Sequence, residues 1–397
     1  MLKRQGKTLW PSILAVTTLF ISCGFSPNTK NTSSISTVNI QQSSVKKQSI
    51  GNCWLYAVLG WIESLNLRAG WQDINFSESY LTYRHFQEQL LSGNAEEELN
   101  TGGSFELGVS LIARYGVMRE GDFIPEENSE PRSKRQEDAL EILNQSLKDG
   151  ELSKLRYGNL SQAEARKLVT LELDRAFSVN MASLRTKIIA PEEINLGNNR
   201  YGSPLSLSDL VESPEHRWNV IYFPSNGIPQ STPNAISERS ASQKNILYRV
   251  KNALNDGHPV LVSWFVDFNA LKGDSFDLNT LLEANKPGLQ GAHITVIEDY
   301  VASGIDPVTG RFFRTSEDEV SREEKGLALE YGNIDYFITK NSWGERSDSS
   351  YYRDGSYGYH KLMANYAFGW IPEANKNGTN SSYSSFGVSE FILPPGY

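Results

Sequence analysis

Gln48-Ser49-Ile50-Gly51-Asn52-Cys53-Trp54 leads into a stretch whose apolar residues recur at helical spacing. Trp54, Val58, Trp61 and Leu65 form one stripe, with Leu55, Leu59 and Ile62 beside it. Ala57, Gly60 and Ser64 make a remaining face of small residues. Apolar nearly all round, a helix over 53–66 is predicted to be central and buried. A thiol in its first turn faces the positive end of the helix dipole, which favours the thiolate. Gly51 lets the backbone turn into the helix, and Gln48 can aim a carboxamide back at the sulfur. An attacked carbonyl develops an oxyanion, for which the Cys53 N–H and the Gln48 amide are the expected donors. Standing alone, the segment reads first as a buried structural cysteine.

Two later segments change that balance. Gly291-Ala292-His293-Ile294 sets a histidine at the head of an apolar strand, behind small residues that leave room for the ring. Phe337-Ile338-Thr339-Lys340-Asn341-Ser342-Trp343-Gly344 ends a strand with an amide, a tryptophan and a glycine. A catalytic histidine needs a neighbour to fix its tautomer and tilt, and Asn341 can accept from its ring N–H. Trp343 is expected to cover that bond from water. His85, His216, His258 and His360 lack comparable flanks.

Together these residues resemble the papain-like cysteine peptidases: Gln, then Gly-x-Cys-Trp, a later Gly-x-His, and Asn-Ser-Trp-Gly, in that order. Phe76-Ser77-Glu78-Ser79-Tyr80-Leu81, Gly102-Gly103 and Leu111-Ile112-Ala113-Arg114-Tyr115-Gly116-Val117 are similar to motifs of the bleomycin hydrolase and aminopeptidase branch. The resemblance implies an α+β fold of two lobes, one helical and one β-barrel-like, with the active-site cleft between them. It implies Cys53 as nucleophile, His293 as base, Asn341 as orienting amide and Gln48 in the oxyanion hole. Gly102 and Gly103 would offer backbone to the substrate, and Trp343 is the third expected substrate-binding residue. Gln48 stands one residue closer to its cysteine than in papain, and the His–Cys separation is longer than the papain pattern, so a helical insertion must be accommodated.

The rest of the chain is consistent with that plan. Residues 130–184 are charged and helical in period, with Ala139, Leu140, Leu143 and Leu147, then Leu168, Leu171, Leu173 and Phe177 on the apolar side. Residues 202–245 read as loop-rich. A short helix over 246–254 and strands over 260–266, 292–297 and 336–340 follow. The expected division is a helical lobe over 45–245 and a β-rich lobe over 246–397. The charged run 316–325 reads as a solvated loop.

A net charge of −9 argues against nucleic acid as a partner. Lys3, Arg4 and Lys7 precede a short apolar run, the order of a secretory signal over 1–22. Phe20-Ile21-Ser22-Cys23 resembles a bacterial lipobox, which makes Cys23 the expected lipidation site and the membrane a partner through that lipid. Residues 23–44 read as a flexible tether, with order beginning near Val45. The expected location is the periplasmic face of the outer membrane or the cell surface. With two cysteines in all and one of them lipidated, Cys53 is left without a disulfide partner. No His-Glu-x-x-His or Cys-x-x-Cys is present, so neither metal nor cofactor is expected. The expected partner is a peptide or protein substrate. A catalytically silent binding lipoprotein and an acyl transferase using the same three residues are the alternatives.

Overall fold

A computed structural model of the protein describes residues 40–70, 74–92, 98–130, 132–157, 160–200, 202–212, 219–225, 239–317, 320–345, 357–375 and 377–397. The expected signal segment, Cys23 and the tether as far as residue 39 lie outside the described residues. So does His216.

Helix α1 (Cys53–Arg68) is the axis of the fold: every side chain from Trp54 to Asn66 is buried. Packed on it are α2 (Glu78–Ser92) and α3 (Phe105–Tyr115), while α4 (Lys134–Asp149) and α5 (Gln162–Phe177) pack on each other and on α2. Ser104, Ser133 and Ser161 cap the last three by accepting from a first-turn N–H, which sets where each begins. Helices α4 and α5 fill the charged region and bury only one side each. On α4 that side is Ala139, Leu143 and Leu147, as the period predicts. On α5 it runs through Val169, Leu173, Ala176 and Phe177, while Leu171, expected inside, is 63% exposed. The spacing of four, three and one obeys the helix period; the Leu171 position falls on the opposite side.

The second half builds a nine-stranded sheet. Its strands are β1 (Asn219–Tyr222), β2 (Val260–Asp267), β3 (Leu271–Lys272), β4 (Ser275–Phe276), β5 (Gln290–Ile305), β6 (Phe312–Arg314), β7 (Asn333–Lys340), β8 (Tyr359–Met363) and β9 (Val388–Leu393). Their order is β1-β9-β2-β5-β7-β8-β4-β3, with β6 pairing β5. The order is open, so the expected barrel-like closure does not appear among the described strands. Alternation divides the faces. Leu261, Ile294, Val296 and Ile392 join the core around α1, whereas Val260, Val262, Trp264 and Val266 join a second core with α6 (Ala241–Asn255). Thus α1 lies against one face of the sheet and α6 against the other.

Three boundaries differ from expectation. β1 lies within the stretch read as loop, because its pairing is with Glu390–Leu393 of β9, far along the chain. α6 begins at Ala241, five residues early, where Ser240 and Gln243 form a capping box. A matching box of Ser321 and Glu324 starts α7 (Arg322–Tyr331), so the charged run 316–325 is a loop only in its first part. Packing also begins before Val45: Ile40, Gln42 and Ser43 are buried. Gln42 Nε2 donates to Ser64 Oγ at 3.1 Å, and that hydroxyl donates to the Gln41 carbonyl at 2.7 Å. The small-residue side of α1 is where this polar segment lies.

Candidate active site

Asn52 is among the best helix-capping residue types, yet it does not cap α1. Its Nδ2 donates to Thr82 Oγ1 at 3.0 Å and Gln136 Oε1 at 2.8 Å. The first-turn N–H groups beside Cys53 are thus left without a side-chain acceptor. The half-buried thiol reaches the backbone of Ile294, Trp54 and Cys53 itself. Burial pushes the thiol up, and those backbone hydrogen bonds work in the opposite direction. Gly51 earns its place by close approach: a Cβ there would fall 2.7 Å from Thr101 Oγ1.

His293 sits on β5, directly opposite Trp264 of β2. Its Nε2 lies 2.8 Å from Asn341 Oδ1. The Ser342 N–H also donates to that oxygen at 2.7 Å, while Asn341 Nδ2 faces His360 Nδ1 at 3.4 Å. Two donors on one side fix the amide's orientation, so His293 Nε2 carries the hydrogen and Nδ1 is left as the basic nitrogen. The Trp343 indole stacks on the imidazole at 4.7 Å between centroids, with 17° between planes. The Trp264 ring meets it edge-on at 5.5 Å. Burial holds the imidazole down to about 4, against the opposing pull of the Asn341 bond. Alone, each group resists charging. Formed together by one proton transfer, thiolate and imidazolium attract, which offsets part of both desolvation costs.

Cys53 and His293 line one cleft of about 560 Å³, together with Gly103, Ser104, residues of β2 and residues of β9. Gly103 is at the surface and carries no side chain because Trp54 lies beneath it: a Cβ would sit 2.4 Å from the indole. The Gly102 N–H is committed to Asn100 Oδ1 at 2.9 Å, and Gly102 is not among the lining residues. Neither is Trp343, which lies over the His293 ring. Gln48 stays beside the site, tied to the segment before Cys53 and to the Asn341–Gly344 turn. Its Nε2 donates to the Ile50 carbonyl at 2.9 Å, its Oε1 accepts from Ser342 Oγ at 2.6 Å, and its backbone N–H donates to Ser342 O at 2.8 Å. One amide hydrogen of Gln48 remains for another acceptor.

Two features beside the site escaped sequence reasoning. His360, on β8, contacts both the Asn341 amide and Trp343, whose ring centroid is 5.3 Å away. Behind Asn341 lies a cavity of about 20 Å³, room for one water, walled by Lys46, Ala57, Gly60, Glu63, Glu78 and Lys340 among others. Among the described residues no group of three or more His, Cys, Asp or Glu is arranged to hold a metal ion.

No protein-family model matches the chain, and no curated protein matches it in sequence. Among solved structures it is similar to PepW from Lactobacillus rhamnosis HN001, with 14% identity, 92% of this chain and 82% of that chain covered, and a TM-score of 0.46. It is also similar to xylellain, a cysteine protease from Xylella fastidiosa, with 10% identity, 91% and 86% covered, and a TM-score of 0.40. At those scores neither likeness carries an argument about chemistry, which rests on the residues of the cleft.

Proposed function

We propose that the chain is a papain-like cysteine peptidase that hydrolyses peptide bonds through an acyl-enzyme. The observation that carries the reading is the 2.8 Å bond from Asn341 to His293, which lines the same cleft as Cys53. His293 Nδ1 takes the thiol proton, and the thiolate attacks the peptide carbonyl. The Cys53 N–H and the remaining Gln48 hydrogen stabilise the oxyanion. The imidazolium then protonates the departing amine, leaving a thioester. Water enters, gives its proton to Nδ1 and releases the acid, and the proton returns to sulfur. Asn341 keeps the ring in the productive tautomer throughout.

The test is covalent. A thiol-directed peptidyl epoxide is expected to modify Cys53, read by mass spectrometry, and peptide turnover is expected to fall in step with labelling. Folded protein whose Cys53 stays unmodified, or whose turnover is indifferent to the label, overturns the reading. The N-terminal features support a further proposal: export, cleavage before Cys23 and lipidation there. Intact mass of the membrane-extracted chain should begin at a diacylated Cys23, and an unmodified Cys23 would remove the anchor from the account.

A further inference from the structure

One carboxylate lines the cleft among the described residues. Among its lining residues Glu390 is the only Asp, Glu, Lys or Arg. It lies on β9, directly opposite Ser263 of β2 on one side and Tyr222 of β1 on the other. Ser263 in turn faces Ile294 of β5. Residues paired across adjacent strands point to the same face, so Tyr222, Glu390, Ser263 and Ile294 form one row across the sheet. That face is the one α1 covers, and the Cys53 thiol reaches the backbone of Ile294 at the row's end. Two strand spacings, about 10 Å, separate Glu390 from Ile294. A substrate bound with its carbonyl at the thiol can send an extended side chain along this row.

The carboxylate is held ready for a cation. Ser263 Oγ donates to Glu390 Oε1 at 2.7 Å, which fixes the group while leaving lone pairs on both oxygens. No Lys or Arg among the described residues pairs with it. The surrounding walls are aromatic: Tyr222 at the rim, 74% exposed, with Phe265 and Phe386 half-buried in the same lining. Aromatic faces accept the methylene stem and the charged head of a basic side chain and repel an anion. From this geometry we infer that Glu390 makes the enzyme select peptides with Lys or Arg close to the scissile bond on the acyl side. The inference rests on the peptidase reading and names its substrate class.

A matched series of fluorogenic dipeptide amides, with free and blocked N-termini, carries Arg, Lys, Leu or Glu at either residue before the cleaved bond. Wild type is expected to favour Arg or Lys over Leu at one of these positions by about tenfold or more in kcat/KM. Glu390→Gln keeps an acceptor for Ser263 and removes only the charge, and the Arg-to-Leu ratio should fall about tenfold. Glu390→Arg should turn the preference toward Glu. Epoxide labelling of Cys53 in each variant confirms that the site is formed. Turnover that favours Leu, or a ratio unmoved in Glu390→Gln, overturns the inference and leaves the peptidase reading standing. Absence of both turnover and Cys53 labelling in wild type removes that reading and the inference together.

Discussion

His293→Ala is expected to lower kcat/KM on any cleaved peptide by about 10⁴-fold or more. The substitution removes the imidazole that, in the proposed mechanism, takes the thiol proton and later returns it. It also leaves the thiol, already pushed up by burial, without an imidazolium to stabilise its ionised form. Labelling of Cys53 by the epoxide should slow in parallel, because that reaction too needs the thiolate. Asn341→Ala should act differently. It leaves the base in place but frees the ring to turn and removes the acceptor that selects the tautomer, so a loss of roughly 10²-fold is expected. Single-turnover and steady-state measurements on both variants separate the two roles. Equal losses would mean that Asn341 does more than orient. A His293→Ala enzyme within tenfold of wild type would end the assignment of the base.

The parts of the site that were legible in the sequence are those whose chemistry depends on near neighbours. The apolar repeat after Cys53 demanded a buried helix, and α1 runs only two residues further than the pattern predicts. The strand holding His293 was visible in Ile294, Val296 and Ile297, although β5 continues to Ile305 through Glu298 and Asp299. Those two acids break the apolar run, and a register shift at Ile297/Asp299 lets both be buried without ending the strand. What the sequence concealed is set by pairing across long separations. Glu390 in Val-Ser-Glu-Phe-Ile-Leu has no local sign of its cleft position; it follows from β9 lying between β1 and β2. The same holds for Lys46. It sits in polar sequence that looks like the end of a tether, and only its packed surroundings give it partners.

Lys46→Met is expected to destabilise the fold by about 3–5 kcal/mol, the largest stability effect predicted for a single side chain here. The ammonium is buried, and it donates to both oxygens of Glu78, at 2.8 and 2.7 Å, and to the Phe76 carbonyl at 2.7 Å. Glu120 and Glu63 stand 3.5 and 3.9 Å away. Burial alone would lower this lysine, but the charges of Glu78, Glu63 and Glu120 more than reverse that and hold it above its ordinary value. The acids outnumber it, so burial and mutual repulsion keep Glu78 up at about 8 and Glu120 at about 7. Removing the cation takes away the counter-charge bonded to Glu78 and leaves only the more distant Lys340 of the same cavity. Its carboxyl, already raised above the unfolded value, rises further, and a raised carboxyl loses stability as pH climbs through the folded value. Urea denaturation should therefore show the gap between variant and wild type widening as pH rises above about 8, where wild type ionises Glu78 and the variant resists it, and level below that. Adding Glu78→Gln to Lys46→Met should recover more than half of the loss, because it removes the stranded charge rather than restoring the pair. The segment carrying Lys46 also holds the Asn341–Gly344 turn, through the Gly344 N–H to the Lys46 carbonyl at 3.0 Å and the Gln48 N–H to Ser342 O at 2.8 Å. Backbone makes those bonds, so the double variant should regain activity along with stability. A double variant that is stable but inactive would show instead that the Lys46 charge itself acts on the cleft.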